Sequence, residues 1–353
     1  ASPARGQDAP AGIVGRILTD LRRIVMFTHI LVPLDGSSLA ETALMPAAIL
    51  TRRFGANLLL MRAMLPTDAP ERDALPEQTL LASGAQVYLD RLAGQLAKSG
   101  VTVHAVVTDE EPAEGILAQT KLDQVDLIVM ATHGRTGFDA LLHPSVTWKV
   151  LSRTSAPILV WKQAPAQSSA QELAQATRFL SDPLASIIVP LDGSLQAEAA
   201  LPLVQFFAKT FGNPVLLLRV ATQPLLLDGG FGNAAIVEDA LKWSIEESES
   251  YLKVKRAKLE SQGLTVRIRS MLGPTSACIK DTVEGLKAGL VVMTSHGRGW
   301  LGRLMMGSVA KDLLGQLETP ILLGRRVPSL SLQNSSEQSQ RADAQLNSLA
   351  SKK

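Results

Sequence analysis

Ile30-Leu31-Val32-Pro33-Leu34-Asp35-Gly36-Ser37 recurs, 157 residues later (35 to 192), as Ile187-Ile188-Val189-Pro190-Leu191-Asp192-Gly193-Ser194. The same spacing relates Glu41 to Glu198, Phe54 to Phe211, Gly55 to Gly212 and Arg62 to Arg219. Farther along, Val129-Met130-Ala131-Thr132-His133-Gly134-Arg135 matches Val292-Met293-Thr294-Ser295-His296-Gly297-Arg298, now 163 residues apart (133 to 296). Pro157-Ile158-Leu159 and Pro320-Ile321-Leu322 keep that second spacing. A repeat of this length is a duplicated domain rather than a solenoid unit. The second copy carries a net insertion between its second and fourth strands.

Each copy alternates apolar runs with helical patterns. In the first, strands are expected near 28–34, 57–63, 101–107, 126–131 and 157–161, and helices near 38–54, 75–99, 112–122 and 145–153. Strands that alternate with helices pair in parallel, and near-continuous apolar strands are those covered on both faces. The fold class is therefore α/β: two tandem doubly wound domains, each a five-stranded parallel sheet flanked by helices. In the second copy the long helix should run from about Ala235 to Gln262, with Gly263 ending it as Gly100 ends its counterpart. The expected boundaries are a flexible extension over 1–26, a first domain over 27–162, a linker over 163–185, a second domain over 186–326 and a disordered tail over 327–353. The linker is rich in Ala, Gln and Ser, and Ser169-x-x-Glu172 spells a capping box that would start a short helix there. Met26, just ahead of the first strand, reads as the native start.

Among the 353 residues, 46% are hydrophobic and 19% charged, enough apolar side chain for two cores. Aromatics are 4%, so those cores should be aliphatic. A net charge of +2, from 35 basic and 33 acidic residues, points away from nucleic acid or an anionic membrane as partner. No apolar run reaches the length of a membrane span. A single cysteine permits no internal disulfide, which fits a cytosolic protein.

In an open parallel sheet, ligands bind beyond the carboxyl ends of the strands, where the strand order reverses. The repeated motifs fall there. Strand one ends in Pro-Leu-Asp-Gly-Ser. In the second copy, strand four leads into Gly297-Arg298-Gly299-Trp300-Leu301-Gly302-Arg303-Leu304-Met305-Met306-Gly307-Ser308-Val309. Gly307 would admit positive φ and close backbone approach, and Ser308 would cap the following helix. The first-turn amides, the helix dipole, Arg298 and Arg303 together suit a phosphate. Gly297-x-Gly299-x-x-Gly302 imitates a dinucleotide fingerprint but follows the wrong strand, and Gly302-x4-Gly307-Ser308 imitates a P-loop without its lysine. Read locally, Asp192-Gly193-Ser194 is also good turn and cap chemistry. His133 and His296 belong to no recognisable triad and read as packing groups. Cys278 reads as a small core residue, and no residues show metal-ligand spacing. The loop 229–233 reads equally as a flap over the site or as a connector.

These paired motifs resemble those of the universal stress protein family, whose ATP-binding signature Gly-x2-Gly-x9-Gly-Ser/Thr follows strand four and whose strand one is followed by an Asp. Here the second copy reads Thr294-x2-Gly297-x9-Gly307-Ser308. The resemblance spans roughly 27–162 and 186–326. It implies that Asp192 lies near ribose or adenine, that Pro190, Val220 and Met293 line an adenine slot, and that Thr294, Gly297, Arg298, Arg303, Gly307, Ser308 and Val309 surround ribose and phosphates. It also implies ATP as ligand, with or without Mg or Mn, and strand-five edges that pair the two copies as a pseudo-dimer and pair chains as a homodimer; the departures of the first copy set the expected stoichiometry at about one nucleotide per chain. The first copy departs from the signature: Pro144 replaces Gly307, Asp139 replaces Gly302 and Ala140 replaces Arg303. Proline removes a donor and an acid repels phosphate, so the first copy should bind nucleotide poorly. The expectation is a cytosolic stress-response protein that binds an adenine nucleotide without efficient turnover. A slow ATP hydrolase or nucleotidyl-transfer enzyme and a scaffold without nucleotide are the competing classes.

Overall fold

The repeat seen in the sequence becomes two copies of one element order. The computed structural model describes residues 27–64, 75–132, 146–162, 178–221, 234–295 and 306–324. The first half runs β1 (His29–Pro33), α1 (Ser38–Glu41), α2 (Leu44–Phe54), β2 (Asn57–Ala63), α3 (Leu75–Ala97), β3 (Val103–Thr108), α4 (Pro112–Leu122), β4 (Leu127–Thr132), α5 (Val146–Arg153) and β5 (Ile158–Lys162). A short helix α6 (Arg178–Ser181) precedes the second half. That half runs β6 (Ile187–Pro190), α7 (Leu195–Glu198), α8 (Leu201–Phe211), β7 (Val215–Ala221), α9 (Ala234–Glu260), β8 (Val266–Leu272), α10 (Thr275–Gly285), β9 (Leu290–Thr294), α11 (Ser308–Gln316) and β10 (Ile321–Gly324).

Local chemistry explains most boundaries. The helix expected over 38–54 is two helices, because Pro46 has no amide to return to the carbonyl of Thr42 and its ring crowds that turn. Pro202 breaks the second copy in the same way, between α7 and α8. Each first helix is capped by the serine of the Asp-Gly-Ser motif: Ser37 Oγ accepts from the Ala40 amide at 3.1 Å, and Ser194 Oγ from Ala197 at 3.1 Å.

All ten strands form one sheet in the order β3-β2-β1-β4-β5-β10-β9-β6-β7-β8. Within each half the pairing is parallel. The halves join through β5 and β10, which pair antiparallel with Val160 opposite Ile321 and Ile158 opposite Leu323. The fifth strands, expected at sheet edges, thus lie at the centre, each covering the other's open side. Two aliphatic layers cover the two faces of the sheet, and each layer draws side chains from both halves.

The aromatic rings depart from the aliphatic picture. Phe27 and Phe54 of the first half stack at 5.3 Å and meet Phe206 and Phe207 of α8 at 5.0 to 5.7 Å. Phe179 of α6 is fully buried, 5.9 Å from Phe211 and 6.5 Å from Trp161. Among the described residues, the phenylalanines are concentrated where the halves meet. The carboxyl end of the stretch read as linker is therefore part of the packing, while Ser169 and Glu172 lie outside the described residues. A protease site engineered into 163–177 should yield two fragments on a denaturing gel that still elute together in native gel filtration. Separate elution would show that the covalent connection, not the seam, holds the halves together.

Candidate functional site

The strand order in the second half reverses between β6 and β9, and the two strands part there. Their pairing ends at Ile188 and Val291. Pro190 has no amide with which to extend it. The crevice is floored by the ends of these strands. Leu191 is held to β7 by its amide, 2.8 Å from the Leu218 carbonyl. Asp192 follows, half-buried, and Gly193 turns the chain at φ +84°, a conformation glycine adopts freely. The Asp192 carboxylate accepts from the Ser194 amide at 2.9 Å and hydroxyl at 2.6 Å. One oxygen is thus committed to the turn.

A charged frame braces this turn from the other side of the sheet. Arg219 is 7% exposed, bonds Glu247 at 2.8 Å and lies 4.8 Å over the Tyr251 ring. The Tyr251 hydroxyl donates to Glu198 at 3.0 Å. Burial, and then the Glu198 carboxylate, push this phenol well above its ordinary value. The first half repeats the frame with Arg62, Tyr88 and Glu41. There the Arg62 guanidinium lies 3.2 Å from where a side chain on Gly36 would begin, so the turn at φ +88° requires glycine twice over. Arg62 and Arg219 were visible as a repeated pair in the sequence, but nothing there gave their partners.

The other wall is β9 and the start of α11. Thr294 and Ser295 are buried. The Ser295 amide reaches the Gly324 carbonyl at 3.4 Å, and its carbonyl accepts from the Gly307 amide at 2.8 Å. Two expectations are corrected here. Gly307 has φ −61° and ψ 148°, so positive φ is not its purpose, and its amide is spent on Ser295 rather than offered to a ligand. It is also Gly307, not Ser308, that occupies the N-cap, and having no side chain it caps nothing. The amides of Ser308, Val309 and Ala310 consequently have no partner among the described residues. Three unpaired N–H groups at the positive end of a nine-residue helix form an anion cradle.

Beside the cradle, Met293, Met306 and Ala310 belong to one buried layer, and Val220 and Val309 pack against it half-buried. Pro190, Asp192, Val220, Met293, Thr294, Gly307, Ser308 and Val309 thus lie at the carboxyl ends of β6, β7 and β9 and at the start of α11, on the two sides of the reversal in strand order. Gly297, Arg298 and Arg303 lie outside the described residues, as do His133, His296, Asp139, Ala140, Pro144 and the 229–233 loop. Among the described residues no group of three or more His, Cys, Asp or Glu gathers, and no helix is long and apolar enough to cross a membrane.

A sequence profile of the Universal stress protein family matches residues 26–162 and again 184–325. The chain belongs to that family, as a tandem member with two such domains. Universal stress protein MJ0531 of Methanocaldococcus jannaschii is 28% identical over 145 residues, covering 39% of this chain and 84% of the relative. Universal stress protein MJ0577 of the same organism is 26% identical over 152 residues, covering 40% of this chain and 94% of its own length. The crystal structure of a universal stress protein from Archaeoglobus fulgidus superposes with a TM-score of 0.63 and 17% identity, covering 86% of this chain and 100% of that one. That structure is similar in fold over both halves.

Proposed function

We propose that the chain is a cytosolic stress-response regulator that binds ATP, or a related adenine nucleotide, in its second half and does not turn it over efficiently. The observation that carries this reading is the uncapped start of α11. Its three amides open on the side of the sheet whose apolar layer includes Val220 and Met293, at the ends of β7 and β9. A ligand that fits both must pair an anionic group with a flat apolar one, as a nucleotide does. Arg298 and Arg303, on the connecting loop, would add charge to the phosphates. Thr294 and Gly297 would face ribose and phosphate. A divalent ion, Mg or Mn, would come with the nucleotide rather than from a carboxylate cluster of the chain.

The first half keeps the fold and the Asp-Gly turn but not the loop. Pro144 stands where Gly307 stands, and a proline cannot make the amide bond that ties Gly307 to Ser295. Asp139 and Ala140 in place of Gly302 and Arg303 turn attraction into repulsion. Titration of the intact chain with ATP in a calorimeter should therefore give one tight site. Pro144→Gly should restore no second site, because Asp139 and Ala140 remain. Two sites of equal affinity would place the nucleotide in both halves. Sustained ATP hydrolysis abolished by His296→Ala would move the protein into the enzyme class.

A further inference from the structure

Lys162 ends the last strand of the first half, yet its ammonium serves a helix of the second. Its side chain is 1% exposed, and its Nζ donates to the carbonyl of Leu314 in the last turn of α11. Burial pushes this ammonium down to about 8, so it remains largely protonated at neutral pH. Carbonyls in a final turn have no helical amides left to bind, and the negative end of the helix dipole lies there. Lys162 is thus a buried cationic cap supplied across the seam.

The topology gives the bond its meaning. Because β5 and β10 run antiparallel, the carboxyl end of β5 lies beside the start of β10, where α11 finishes. The other end of α11 opens at the opposite edge of the sheet, with the unpaired amides of residues 308–310. The polar ties on this helix include the Gly307 amide on Ser295, the Asp312 carboxylate on Ser276 at 2.9 Å, and Lys162 at its base. Of these, the Lys162 tie comes from the first half.

We infer that Lys162 is a positioning residue for the anion cradle: by anchoring the base of α11 it fixes the amides at the far end, so the second-half site depends on the docked first half. This rests on the reading that α11 receives phosphate. A helix of nine residues with its apolar side of Ala310, Leu313 and Leu314 in the core moves as one body. Freeing its base therefore tilts its start. Phosphate contacts should suffer, while contacts to adenine, made by β6, β7 and β9, should not.

The test uses the full chain with Lys162→Met and Lys162→Arg, titrated with ATP and with adenosine. Lys162→Met should weaken ATP about tenfold, the scale of one charge-assisted hydrogen bond, and leave adenosine within about twofold. Lys162→Arg, which keeps donor and charge, should recover most of the ATP loss. Hydrogen exchange without ligand should speed up at residues 311–314, whose amides make the helical bonds of α11, in Lys162→Met. Wild-type protein that binds no ATP would sink the nucleotide reading alone, and the exchange result would still decide the role of Lys162. Unchanged ATP affinity with unchanged exchange would overturn the inference, and so would equal weakening of ATP and adenosine. If Lys162→Met does not fold, Lys162→Gln takes its place with the same outcomes.

Discussion

Ser308→Asp is expected to stabilise the protein without ligand and to abolish most of its affinity for ATP. Ser308 is exposed and is the first residue of α11, directly over amides that nothing caps. A carboxylate there, in the first turn, meets the positive end of the dipole, worth about 0.3–1 kcal/mol. The same carboxylate occupies the cradle. Like charges about 4 Å apart repel by about 4 kcal/mol at an effective dielectric near 20, before screening by salt. Allowing about half of that for an exposed position gives a loss of roughly 30-fold in affinity. Thermal denaturation of the free protein and calorimetry with ATP read the two effects separately. Ser308→Ala supplies the control, because it adds no charge and should change affinity little. Undiminished ATP binding by Ser308→Asp would mean that no phosphate sits at this helix.

The largest loss of stability should come from Phe207→Ala. Phe207 is fully buried and has rings at 5.7 Å from Phe27 and Phe54, 6.1 Å from Phe206 and Phe211, and 6.3 Å from Phe179. Truncating such a ring removes its transfer free energy and leaves a cavity that neighbours from two halves cannot easily close, about 3–5 kcal/mol in total. Because Phe27 and Phe54 belong to the first half, the damage should register in both. The intact chain should unfold in one transition, and the variant should unfold in one transition at lower denaturant. A loss below about 1 kcal/mol, within the usual range of surface substitutions, would show that the rings contact one another without holding the halves together.

Most of the fold was legible because the repeat aligned every strand with a second example. The five strands of the first half fall within two residues of the expected spans, and Gly100 and Gly263 close their long helices at φ +77° and +86°. What escaped was mostly what depends on the partner half. Phe27, Phe54 and Phe207 are ordinary core residues in the chain order, and only the seam makes them one cluster. Lys162 drew no reading at all, since nothing local shows that a helix from 152 residues away will end upon it. Pro190, Asp192 and Gly307 do fall at the carboxyl ends of the strands and the start of α11, where the repeated motifs put them. The function of Gly307 was not legible, because its amide partner, Ser295, is fixed by the tertiary path and not by the spacing of glycines.

The antiparallel seam has a consequence for heredity. When two separate copies of one chain pair about a two-fold axis, every residue must suit both roles, since position i meets position j and j meets i. Joined in one chain, the two sides are free to drift. They have done so at Trp161 and its counterpart Gly324. The indole packs against Phe179 at 6.5 Å, whereas any side chain on Gly324 would start 2.8 Å from Leu203. A ring at the second place has no room, and a glycine at the first would leave a hole. The fusion also left the loop after the fourth strand free to change in one half without the other.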